Sequence, residues 1–151
     1  MNKKGFTTIE LIVSFTLVTI ILFSLISFSI NYRNKSHLME IENSLNEFKN
    51  NFTKIVYDDI ISGKVTKITS CDSSNCANLL GDESYQIKVV EKDSDVYLAY
   101  RDILYQIPNS TKNNIIINNF EISNYNDLYH LKITIHHTVI NKDLAILINI
   151  N

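Results

Sequence analysis

Glu10 is the one charged residue between Phe6 and Ile30, in a segment otherwise built from Leu, Ile, Val, Phe, Ser and Thr. A carboxylate inside an apolar helix costs on the order of 2.5 to 3.5 kcal/mol near a bilayer centre, so it needs a partner or a task. The next residues able to do chemistry are Cys71 and Cys76, which enclose Asp72-Ser73-Ser74-Asn75. In an extracytoplasmic loop a disulfide is the default pairing, and closing so short a loop stabilises by about 2 kcal/mol on the chain-entropy relation. A free thiol pair is the plainer alternative. Zinc is the remote one, because no second Cys pair exists and the spacing is not the usual two.

The remaining polar groups suggest little chemistry. His136 and His137 are adjacent in an alternating pattern, so they point to opposite faces of a strand and cannot clasp one metal. His37 and His130 stand alone, and are expected to be exposed or half-buried structural residues. Glu91, Asp93 and Asp95 lack the Gly and the downstream Glu of a calcium loop, so a solvated turn is expected there. No Gly-rich phosphate loop, nucleophile elbow or paired acid and base is present. No catalytic, cofactor-binding or metal residue is therefore assigned, and the chain is not expected to be an enzyme.

The elements that must carry these residues follow from periodicity. Residues 11–30 contain no charge, Gly or Pro, which is enough apolar helix to cross a hydrocarbon core. Lys3 and Lys4 precede this run, and Arg33 and Lys35 follow it, so charge asymmetry alone does not orient it. Beyond it, Leu38, Ile41, Leu45, Phe48, Phe52 and Ile55 recur at steps of three and four, the stripe of an amphipathic helix. Asp58 and Asp59 interrupt the stripe, and Ser62-Gly63 are a stop signal. One helix from about residue 7 to residue 61 is expected, with two helices divided near residues 31–36 as the alternative. After Gly63 the period becomes two, as in Leu131, Ile133 and Ile135, with further strand signals at 64–69, 85–91, 96–100, 103–107, 115–122 and 144–150. Breaks at Lys92-Asp93-Ser94-Asp95, Arg101-Asp102 and Asn124-Tyr125-Asn126-Asp127 read as hairpin turns. The expected fold is α+β: a long N-terminal helix, transmembrane then amphipathic, packed on a meandering C-terminal antiparallel sheet.

Composition sets the outer bounds. A chain of 151 residues with three Gly and one Pro leaves room for one modest soluble domain and has no flexible linker. The formal charge of -2 becomes about -4 if Lys3 and Lys4 are removed, which argues against direct nucleic-acid binding through bulk charge.

The run Met1-Asn2-Lys3-Lys4-Gly5, then Phe6-Thr7-Thr8-Ile9-Glu10-Leu11, resembles the start of type IV prepilins and pseudopilins. No Ala-x-Ala-like site follows Ile30, as an ordinary secretory signal would require. The resemblance covers about the first thirty residues, and its combination of basic leader, Gly/Phe boundary and acid at the fifth mature position is specific. It implies cleavage between Gly5 and Phe6 on the cytoplasmic face by a membrane-embedded prepilin peptidase, which also methylates the new N-terminus of Phe6. It implies further that Glu10 pairs with the Phe6 amine of a neighbouring subunit during assembly. Four segments follow: a leader at 1–5, a transmembrane and assembly helix at 6–30, its amphipathic extension at 31–62 and an extracytoplasmic β domain at 63–151. The resemblance implies a minor pilin or pseudopilin, a structural subunit for DNA uptake or protein secretion in competence, type II secretion or type IV pilus machinery. Its partners would be the peptidase, other such subunits, a membrane assembly platform and lipid. It would lie in the cytoplasmic membrane, with its C-terminal domain outside. A departure is Ser27, at the twenty-second mature position, where many pilins carry a helix-loosening Pro. The alternative from another class is a membrane-tethered binding module that enters no filament.

Overall fold

The computed structural model describes residues 7–126 and 128–150. Gly5 and Phe6, on which the expected cleavage and methylation fall, lie outside the described residues. One helix, α1 (Thr8–Ile61), is followed by nine strands. They are β1 (Lys67–Ser70), β2 (Cys76–Leu80), β3 (Ser84–Lys92), β4 (Asp95–Tyr100), β5 (Ile103–Thr111), β6 (Ile115–Ile117), β7 (Glu121–Tyr125), β8 (Leu128–His137) and β9 (Lys142–Ile150). The chain divides into two compact units, Met1–Met39 and Glu40–Asn151.

In the first unit the described residues are almost all helix, with no break at Ser27 or between residues 31 and 36. Its apolar side chains are exposed on every side, with Ile9, Phe15 and Phe23 at 74%, 73% and 72%. The helix is long and apolar enough to cross a membrane. Thr16 donates to the Val13 carbonyl at 2.8 Å, Thr19 to Phe15 at 2.8 Å and Ser24 to Ile20 at 2.9 Å. Hydroxyls that bond back to the preceding turn need no water, so they do not spoil an apolar span.

In the second unit α1 buries Ile41, Leu45, Phe52, Val56 and Asp59. The helix stops at a Gly: Gly63 has φ +77°, its N–H donates to the Ile60 carbonyl at 3.0 Å, and Lys64 N–H donates to Asp59 at 3.0 Å. This is the Schellman pattern, which satisfies carbonyls that the helix end leaves free. The strands form two sheets where a single meander is expected. The first is a meander, β1-β2-β3-β4-β5, all antiparallel. In the second, β8 pairs with β6, β7 and β9. A strand has two edges, so β6 and β7 share one as a single strand interrupted at residues 118–120, and β9 takes the other. Both sheets give one face to a common core that includes Leu79, Ile87, Leu98, Tyr100, Leu131, Ile133, Ile146 and Ile148.

Two hairpins are tight two-residue turns, with Asp93 and Ser94 at φ +52° and +72° and Arg101 and Asp102 at +54° and +61°. Positive φ at both central positions is what the twist of antiparallel strands requires. The outer edge of β9 runs beside the helix, where Lys142 Nζ meets Glu42 Oε1 at 2.6 Å and Asn149 N–H donates to Tyr57 Oη at 3.1 Å. From residue 42 to 57 a helix advances about 22 Å, and from 142 to 149 a strand advances about 23 Å, so the two keep step. Covering an edge with a helix removes a site for unwanted strand pairing.

Candidate functional site

The carboxylate of Glu10 closes a capping box. Thr7 donates to Glu10 Oε2 from its backbone N–H at 2.8 Å and from its hydroxyl at 2.9 Å, and Glu10 N–H donates to Thr7 Oγ1 at 3.3 Å. Helix α1 begins at Thr8, so Thr7 is the N-cap and Glu10 the third helical residue, the reciprocal arrangement that satisfies two free N–H groups. The Thr7-x-x-Glu10 spacing is the sequence signal for this cap, a role separate from the intersubunit pairing expected of Glu10. A carboxylate in the first turn is also favoured by the positive end of the helix dipole.

Cys71 and Cys76 belong to the other unit, where they are joined by a disulfide with Cα atoms 5.5 Å apart. The strand signals at 64–69 and 85–91 leave residues 70–84, with this loop, outside any expected strand. The loop lies instead within the first sheet, as the turn of the β1–β2 hairpin, because residues 76–80 form a strand where none is expected. The loop and the outer face of β3 line an open polar cleft of about 650 Å³, which includes Asp72, Ser73, Ser74, Gln86 and Lys88. No His lies among its lining residues to activate a serine. Among the described residues no group of three His, Cys, Asp or Glu could hold a metal.

The other polar groups are engaged by neighbours. Glu91 pairs with Lys112 at 2.8 Å, which holds the Lys112 ammonium above its ordinary range, and Asp95 accepts from Gln106 at 2.8 Å. His136 faces outward and meets Asp143 at 2.7 Å, while His137 faces inward and is fully buried. Neither ring nitrogen of His137 has a hydrogen-bond partner among the described residues. Burial, the largest cause, lowers its pKa, and the neighbouring His136 adds to that shift.

One polar cluster has no counterpart in the sequence reading. Asp59 on α1 is buried, accepts a hydrogen bond from Tyr100 Oη at 2.7 Å and forms an ion pair with Arg101. The Arg101 guanidinium also lies over the rings of Tyr85 and Tyr100, 5.3 and 5.8 Å from their centroids. Burial, first of all, raises the pKa of the Tyr100 hydroxyl, so it stays protonated and donates. This cluster fastens the last turn of the helix to the first sheet; it offers no nucleophile beside a base.

Against family models, curated proteins and solved structures, the chain has no match in any of the three comparisons.

Proposed function

We propose that the chain is a structural subunit of a type IV pilin-like filament, a minor pilin or pseudopilin, cleaved between Gly5 and Phe6 and methylated at Phe6. The observation that carries this reading is one helix that joins an apolar segment, exposed on all sides and bearing the single acid Glu10, to a folded β domain. In a plain anchor this carboxylate would serve only as a helix cap. Four residues past a Gly/Phe boundary it also stands where a subunit could pair it with the amine that cleavage creates. The order of long helix and then antiparallel strands also fits such a subunit.

On this reading the uncleaved chain keeps Glu10 occupied by Thr7, one turn from the peptide bond to be cut. Cleavage frees the Phe6 amine, and a charged amine from the adjacent subunit is a stronger partner for a desolvated carboxylate than a hydroxyl. The partners are the prepilin peptidase, other filament subunits, a membrane assembly platform and lipid.

Intact-mass measurement of the native protein should show Phe6 as the N-terminus with one added methyl group. Retention of Met1 would overturn the reading and return the chain to a membrane-tethered binding module. Glu10→Ala should be processed and membrane-bound, yet fall about tenfold or more in the sheared filament fraction. Normal incorporation of that variant would count equally against the proposal.

A further inference from the structure

We infer that the Cys71–Cys76 bond is a redox-sensitive latch between the two sheets, opened by thiolate attack on Cys71 and reporting on the backbone at Phe120 and Val89. This goes beyond the filament reading and does not depend on it.

The disulfide closes a hairpin that the β1–β2 ladder already holds through Lys67↔Leu80, Ile68↔Leu79, Thr69↔Asn78 and Ser70↔Ala77. A cross-link five residues apart closes only a short loop in the unfolded chain, about 2 kcal/mol on the chain-entropy relation, so the bond is a weak global staple. What it fixes is the shape of residues 72–75 and the direction of two carbonyls. Ser74 C=O accepts from Phe120 N–H at 3.0 Å, and Asn75 C=O accepts from Val89 N–H at 3.2 Å. Val89 belongs to β3 of the first sheet, whereas Phe120 stands in the interruption between β6 and β7 of the second. The interruption deprives Phe120 of a ladder partner there, and the disulfide loop supplies one. Phe120 is a buried member of the common core, so an opening at its backbone reaches the packing between the sheets.

The two sulfurs differ in access. Cys71 is half-buried and Cys76 is 5% exposed. An incoming thiolate of a dithiol reductant therefore bonds to Cys71 Sγ, and the Cys71–Cys76 bond breaks with its electron pair leaving on Cys76 Sγ, which takes a proton from water. The second thiol of the reductant then attacks the first, releasing Cys71 as a thiol and leaving the reductant oxidised as its own disulfide. Two electrons pass to the protein, and the loop is freed.

The test is hydrogen exchange on the full-length chain in detergent micelles, before and after dithiothreitol. Protection at Phe120 and Val89 should fall about tenfold or more, while Leu45 and Phe52 in the helix stay unchanged. The double variant Cys71→Ser, Cys76→Ser should give the reduced pattern without reductant, and its unchanged helix protection would show that it has folded. Unchanged protection at Phe120 and Val89 overturns the latch, and so does a loss shared equally by the helix, which would make the bond a global staple. With glutathione as a monothiol, the mixed disulfide should be located on Cys71 by peptide mass; an adduct on Cys76 would overturn the assigned order of attack.

Discussion

Asp59 shows how a residue that reads as a defect in a pattern becomes an anchor. In the sequence it breaks an apolar stripe; in the fold it is a buried carboxylate met by Arg101 and the Tyr100 hydroxyl. Removing one partner of a buried ion pair leaves the other charge uncompensated, so Asp59→Ala should destabilise the β domain by about 3 to 5 kcal/mol. Tyr100→Phe removes a hydrogen bond to a charged group and should cost about 1.5 to 3 kcal/mol. Chemical denaturation of both single variants and the double should give a double-variant loss smaller than the sum, because the two changes share one acceptor. Strict additivity would show that the Tyr100 hydroxyl contributes nothing through Asp59. Gly81 is read in the same way: a Cβ there would run into the Lys64 carbonyl and come within 2.9 Å of Val65 Cα, so the tight approach of two backbones is what demands glycine.

Elements with a strong local signal were legible. The stripe through Ile41, Leu45 and Phe52 and the Ser62-Gly63 stop mark the helix, and the hairpins at Asp93-Ser94 and Arg101-Asp102 stand where polar pairs separate alternating runs. Strand β2 was not legible, since Cys76-Ala77-Asn78-Leu79-Leu80 has no β-branched or aromatic residue. Nor was the break at residues 118–120, because Asn118-Asn119 is only a short polar step between the apolar residues of 115–122, and the pairing with β8 is what shows the interruption. The division into two sheets is a long-range property that no window of residues contains. The candidate site divides similarly, with Glu10 and the two cysteines visible as types and the loop's carbonyl contacts invisible. Between β4 and β5 the register shifts from Tyr97↔Gln106 to Asp95↔Thr111, and the extra residues include Pro108 and Asn109 at φ +52°. Buried Ser110 repairs this bulge by accepting from Val96 N–H at 3.2 Å and donating to Val96 C=O at 3.0 Å, as a backbone amide would. Ser110→Ala should therefore strand both groups and cost about 1 to 3 kcal/mol in thermal or chemical denaturation. Ser110→Thr, which keeps the hydroxyl, should lose less.

At the scale of the molecule, the second unit has its own core, to which both sheets contribute, and His137 is buried within it. Residues 40–151 should accordingly fold alone as a soluble domain with one cooperative transition. The stability of that domain carries a pH dependence whose sign follows from burial. The folded state holds His137 below the ordinary value of 6.5, chiefly by desolvation, so the unfolded chain binds the extra proton first as pH falls. The stabilising contribution is complete above the unfolded pKa and is lost as pH falls through 6.5 toward the lower folded value, with a slope of at most about 1.4 kcal/mol per pH unit for one proton. Urea denaturation of residues 40–151 between about pH 7.5 and pH 5 should show this decline. His137→Leu, which cannot titrate, should flatten the part of the profile nearest 6.5 and leave the carboxylate-driven loss at lower pH in place. His136→Gln separates the two rings by face: it removes the outward pair with Asp143 and should leave the inward histidine's decline standing. A profile that stays steep in His137→Leu would assign the titration to another group and leave the buried ring with a packing role only.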